Sequence, residues 1–239
     1  MASQLLLEIT IESLDAALAA ERAGADRIEL CAELNRGGVT PSHAAMRKLH
    51  EELEIPLFPI IRPRAGNFVY TENEFAAMER DISAARDLGV DGVVFGILRP
   101  DHSIDVARTT ELVQWARPLE VTFHRAFDET TDLLTALEDV VGTGATRILT
   151  AGGAATAPQG VAMLHKLVRA AANRIVIMPG SGLDATNIDK IARETLASEF
   201  HSGLSSVLPY GSSNLQRFEA EIHSMKRRLK DLRASAQLP

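Results

Sequence analysis

A single (β/α)8 TIM-type barrel is the fold that this sequence predicts, on three observations. Short β-rich runs alternate with amphipathic helical stretches from one end of the 239 residues to the other. Eight such units at roughly 30 residues each account for the length. A weak internal repeat, GADRIEL from Gly24, GVDGVVF from Gly89 and GATRILT from Gly144, returns after 65 and 55 residues, about two βα units each time.

The first strand is LLLEITI (5–11), where Leu7, Ile9 and Ile11 make one apolar face. Ser13 caps the following helix, SLDAALAAERAG, and Gly24 ends it. RIELC (27–31) is the second strand, and Ser42 caps the helix in PSHAAMRKLHEEL. PLFPIIR (56–62) is the third; Thr71 with Glu74 then forms a capping box for ENEFAAMERDISAARDLG, closed by Gly89. GVVFGIL (92–98) and LEVTFHR (119–125) follow, then the helix TDLLTALEDVVGTG ending at Gly144. RILTAG (147–152), RIVIMPG (174–180) and EFHS (199–202) complete the set, with Asp184 as the cap of the helix before the last. Residues 202–239 read as an irregular segment, GLSSVLPYGSSN (203–214), and a C-terminal helix within the same single domain, 1–239. An open doubly wound sheet is the alternative fold; the first strand leads into EITIES, with no GxGxxG.

Composition narrows the function. A formal charge of −7 argues against nucleic-acid or anionic-membrane partners, which need an extended basic surface. The basic run KRRLK (226–230) reads as a solvated helix face. One cysteine excludes an internal disulfide and any CxxC pattern. No signal peptide and no membrane-spanning run is visible, so a reducing, cytoplasmic setting is expected.

Strand alternation places Glu8, Thr10, Glu29, Cys31, Arg62, Arg64, Thr122, His124, Glu199 and His201 inside the barrel, mostly toward the C-terminal mouth. Glu8 and Glu29 are candidate general bases and need cationic partners, for which Arg62 and Arg64 are expected. His124 is a candidate acid or base, and Asp128, four residues on, is close enough to join it. The turns AGG (Gly152, Gly153) and PGSG (Gly180, Ser181, Gly182) are candidate anion cradles together with Arg62 and Arg64. Ordinary tight turns and a structural ion-pair network are the plain alternatives. His43, His50, His165 and His223 fall on helices, and His102 on a mouth-side loop.

ADRIELC, GGVTPS, IIRPRAGNFVYTENEF, DGVVFG, VTFHRAFD, RILTAGG, IMPGSG and EFHS, in this order, resemble the copper homeostasis protein CutC family over residues 5 to 202. The resemblance implies a TIM-type barrel, a cytoplasmic homo-oligomer (a dimer first) and a link to copper tolerance. It also implies copper(I) ligands on strands one and two. Thr10 stands where relatives carry the first cysteine, leaving Cys31, with His124, His201 or Met178 as its candidate partners and His201 first among them. Two readings follow: a copper(I)-binding protein, or an enzyme acting on a small anionic or phosphorylated metabolite at the barrel mouth. A scaffold whose surface is its function is the third class.

Overall fold

Residues 5–204 and 214–234 are described in the computed structural model. The strands are β1 (Leu6–Ile11), β2 (Arg27–Leu30), β3 (Leu57–Pro59), β4 (Gly92–Phe95), β5 (Glu120–Phe123), β6 (Arg147–Thr150), β7 (Val176–Pro179) and β8 (Glu199–Ser202). The helices are α1 (Leu14–Arg22), α2 (His43–Glu52), α3 (Glu72–Leu88), α4 (Val106–Ala116), α5 (Leu133–Thr143), α6 (Ala157–Ala171), α7 (Ile188–Thr195) and α8 (Leu215–Ala234). The parallel strands hydrogen-bond in two sets of four, ordered β3-β2-β1-β8 and β4-β5-β6-β7. An Ile60–Val94 bridge joins the sets on one side. On the other, β7 and β8 lie side by side without a backbone ladder among the described residues. This is the predicted barrel.

Alternation decides what each face buries. Leu7, Ile9, Ile28, Leu30, Val93, Phe123 and Ile148 point outward and join the apolar faces of the helices in the main core. Inside, the apolar content shrinks to a small separate cluster of Cys31, Phe58, Ile60 and Val94. The rest of the buried interior is mostly polar, with Leu149 and Met178 set among Glu8, Thr10, Arg27, Glu29, Thr122, His124, Arg147, Glu199 and His201.

The internal repeat has a structural cause. Its third positions, Asp26, Asp91 and Thr146, accept an amide from the first two residues of a neighbouring strand, from Leu7, Leu57 and Val121 at 2.7, 2.9 and 3.2 Å. Its fourth positions, Arg27, Gly92 and Arg147, converge on Phe58. The two guanidinium carbons lie 4.9 and 5.5 Å from the ring centroid. A Cβ at Gly92 would fall 2.3 Å from the ring.

The caps at Ser13, Ser42 and the Thr71–Glu74 box form as expected. Two expectations change. The third strand is shorter than 56–62, because Pro59 offers no N–H and the Arg62 amide turns to Thr40 Oγ1. Asp184 does not cap a helix: it accepts the Thr186 amide in a turn, and α7 begins at Ile188 after Asn187. The stretch expected to be irregular, 203–214, falls from 205 to 213 outside the described residues, and α8 is the C-terminal helix.

Candidate functional site

Four side chains from three adjacent strands form a continuous hydrogen-bonded line beneath the C-terminal mouth. Glu8 and Thr10 project from β1, Glu29 from β2 and His201 from β8. Parallel registers set Thr10 against Glu29 and Glu8 against His201. Glu8 Oε1 lies 2.7 Å from His201 Nδ1, and His201 Nε2 lies 2.8 Å from Thr10 Oγ1. Thr10 in turn donates to Glu29 Oε2 at 2.5 Å. Burial disfavours charge on all three ionisable groups, yet their neighbours drive them apart. For Glu8, Arg27 and His201 outweigh burial and hold the carboxyl far below its ordinary range. For His201, burial is outweighed by Glu29 and Glu8, which raise the imidazole. Glu29 is raised, by burial first and by Glu8 beside it, against the opposing pull of His201 and Thr10. A carboxylate line in which one member prefers its proton is the pattern of acid–base sites.

The cations that balance this line are not the ones expected. Arg27 bonds Glu8 through Nε and Glu199 Oε2 at 2.7 Å through a terminal nitrogen. Arg147 binds the same Glu199 at 2.6 Å and reaches Glu120 at 3.0 Å. Arg62 and Arg64 do not bond Glu8 or Glu29; both lie beyond the last ladder pair of β3, where alternation no longer holds. The signal for Arg27 and Arg147 was present, since each opens a strand on the same face as Glu29 or Leu149.

Above the line opens a cavity of about 400 Å³, lined by Thr10, Glu29 and His201 on one side and by Arg62, Phe68 and His124 on another. His124 Nδ1 accepts the Ala126 amide at 3.2 Å, which fixes the proton on Nε2. Burial, aided by the Arg62 charge, pushes this histidine down to about 3, so it is neutral. Ser181 and Gly182 complete the rim with positive φ angles of 76° and 72°. A left-handed serine is uncommon and turns the backbone so that the amides of Ser181, Gly182 and Leu183 have no acceptor among the described residues.

Several expected site residues serve the scaffold instead. Arg64 is tied to Glu74 at 2.6 Å and to the Val69 carbonyl at 2.7 Å, away from the cavity. The Gly153 amide is taken by Asp128 at 2.9 Å and the Gly152 amide by Thr150 Oγ1 at 2.8 Å, so AGG has no amides left for an anion. Gly180 donates to the Thr150 carbonyl at 3.0 Å, leaving Ser181 and Gly182 as the free part of that turn. Asp128 is a clamp: it also accepts the Thr150 hydroxyl and the Ala151 amide and pairs with Arg125 at 2.8 Å. Its carboxylate is used up, and it does not line the cavity.

The soft donors that copper(I) requires are scattered. Cys31 sits in the apolar cluster with Phe58, Ile60 and Val94, its thiol donating to the Ile11 carbonyl at 3.6 Å. Burial, with Glu29 and Glu12 nearby, raises that thiol and disfavours the thiolate. Met178 Sδ accepts from Arg27 at 3.3 Å. Among the described residues Cys31 belongs to no group of three such ligands. Among the described residues, the three His, Cys, Asp or Glu side chains that do meet, with ligand atoms within 4.8 Å, are Glu8, Glu29 and His201. That set is hard, and its protons and Arg27 already satisfy it. The residues present do not fit copper(I).

Comparison with known proteins agrees with the architecture. Residues 5–206 match the CutC family. A CutC family protein of Chromobacterium violaceum is 46% identical over 197 residues, 82% of this chain and 80% of its own. The human copper homeostasis protein cutC homolog is 42% identical over 200 residues, 84% of this chain and 73% of its own. The crystal structure of CutC from Streptococcus agalactiae superposes with a TM-score of 0.80 at 34% identity, over 84% of this chain and 99% of that one. Monomers generated from the dimeric phosphoribosylanthranilate isomerase of Thermotoga maritima, at 16% identity and a TM-score of 0.63, share the fold alone over 96% of this chain and all of their own. By sequence and by structure, this chain belongs to the CutC family.

Proposed function

We propose that this protein is an enzyme that moves a proton on a small anionic, carbonyl-bearing metabolite held in the barrel mouth. The observation that carries this reading is the line Glu8–His201–Thr10–Glu29, which ends in an open cavity. A proton can pass along it without changing its net charge. When His201 is the cation, its Nε2–H donates to Thr10, whose hydroxyl donates to an ionised Glu29. When the two protons shift, Glu29 carries one, Thr10 donates back to Nε2, and His201 is neutral on Glu8. Glu29 can therefore take a proton from a substrate carbon or return one. The free amides at Ser181–Leu183 would hold the anionic end, a phosphate among the natural candidates.

The test is isotope exchange. A panel of sugar phosphates and small keto and hydroxy acids, incubated in deuterated water, is expected to include compounds that take up deuterium at the carbon beside the carbonyl. Glu29→Gln is expected to slow that uptake by about 10²–10⁴-fold. If no compound exchanges with the native protein, the reading fails.

The names of the human and mouse relatives support a second reading, a role in copper homeostasis. On this chain it would act through metabolism, since the soft donors are apart. Titration with copper(I) under anaerobic, reducing conditions is expected to show no sub-micromolar site, and Cys31→Ala is expected to leave the isotherm unchanged. Sub-micromolar binding lost in Cys31→Ala would restore the metal-carrier reading. Cytoplasmic placement and self-association, a dimer first, belong to the same proposal. No described helix is long and apolar enough to cross a membrane.

A further inference from the structure

Arg62 and His124, which line the same cavity as Glu29, carry two buried N–H donors without acceptors, and Arg62 is a cation without a counter-ion among the described residues. Arg62 is 6% exposed. Its terminal nitrogens are fixed by three carbonyls, Gly37 at 2.9 Å, Gly38 at 3.0 Å and Gly66 at 2.6 Å. The Phe68 ring supports the guanidinium at 4.7 Å. Nε–H has no hydrogen-bond partner among the described residues, and the buried Tyr70 hydroxyl, itself unpartnered, lies beside this guanidinium. Among the described residues no carboxylate comes within ion-pair distance of Arg62, in contrast to the paired arginines Arg27 and Arg147 deeper in the barrel.

His124 is 5% exposed and equally fixed. Its ring packs on the same Phe68, centroids 4.7 Å apart, and fits against Gly96, where a Cβ would fall 2.6 Å from Nδ1. With Nδ1 spent on the Ala126 amide, the unpartnered Nε2–H is the ring's remaining donor. A trapped water could satisfy either N–H but could not balance the charge.

We propose that Arg62 Nε–H and His124 Nε2–H form a seat for one planar oxyanion of the substrate, a carboxylate or the enolate oxygen that develops when Glu29 removes the neighbouring proton. This rests on the acid–base reading and adds the substrate class: a compound whose acidic C–H sits on the carbon beside its carbonyl. A neutral imidazole suits the task. It donates to an oxygen gaining charge and does not surrender its own proton to it. The fixed guanidinium supplies the positive field without reorganisation.

Oxalate, a planar dianion of enolate shape, is the probe, with inorganic phosphate as the tetrahedral control, both on chelator-treated protein. Oxalate is expected to bind and to shift the His124 Nε2–H resonance in the proton–nitrogen spectrum. His124→Phe, which keeps the ring packing, and Arg62→Lys are each expected to weaken oxalate by about 10–100-fold. Phosphate affinity should stay within about twofold in His124→Phe, since its amides lie on the other rim. An unmoved His124 resonance at saturating oxalate, or equal affinity in His124→Phe, overturns the seat; the resonance decides the matter if Arg62→Lys does not fold. Oxalate binding without any deuterium exchange would keep the seat and sink the acid–base reading, and exchange without oxalate binding would do the reverse.

Discussion

Arg27→Ala is expected to lower the free energy of unfolding by about 3–5 kcal/mol, measured by urea denaturation at neutral pH. The side chain joins two buried carboxylates, Glu8 and Glu199, and supports the Phe58 ring. Its removal leaves Glu8 to His201 alone and Glu199 to Arg147 alone, both carboxylates buried. The same contacts set an acid dependence. Glu8 and Glu199 are both lowered from 4.5 in the folded chain. A lowered carboxyl contributes stability that is fully present above its unfolded pKa and is lost as pH falls toward the folded value. The native protein should therefore weaken progressively below about pH 4.5, while Arg27→Ala, which has lost much of the lowering, should show a flatter acid limb. A variant as stable as the native chain, or an unchanged acid slope, would mean that the ion pairs do not carry this part of the fold.

Gly92→Ala is expected to cost about 2–3 kcal/mol although it adds one methyl group. The new carbon would meet three atoms of the Phe58 ring at 2.3 to 2.7 Å. Phe58 is fully buried, with Arg27 and Arg147 against it, so it cannot step aside without pulling on Glu8 and Glu199. Phe58→Leu should remove the clash. Thermal denaturation of the double variant is expected to recover part of the loss, with a coupling of about 0.5–3 kcal/mol. Additive losses would show that the glycine answers to something other than the ring.

The fold was largely legible because its determinants are local: alternation over four to six residues, caps at Ser13, Ser42 and Thr71, and glycines after α3 and α5. Alternation also turned Glu8, Thr10, Glu29, Thr122, His124, Glu199 and His201 inward, and all seven are buried. Their partners were not legible, since pairing depends on depth along the barrel axis, which one strand cannot report. Arg27 and Arg147 open their strands and lie deep, whereas Arg62 and Arg64 follow the end of β3, where Pro59 and Pro63 had broken the period of two. Asp128 was misplaced for a related reason. Its partners, Thr150 to Gly153, come from the next βα unit, and a carboxylate aimed at a site reads like one aimed at a turn.

The strand order has a consequence for how the protein is made. β8 belongs to the sheet of β1, β2 and β3, yet Glu8 and His201, which must meet, are 193 residues apart. At a ribosomal pace of about 5–20 residues per second, the growing chain carries β1 with one edge bare for roughly 10–40 seconds. During that interval Glu8, Thr10 and Glu29 have no imidazole between them. A nascent or truncated chain that stops short of β8 therefore presents an open strand edge on which Glu8 keeps Arg27 but Glu29 lacks its cationic partner. That edge is where capture by chaperones, or mispairing with another unfinished copy, would begin.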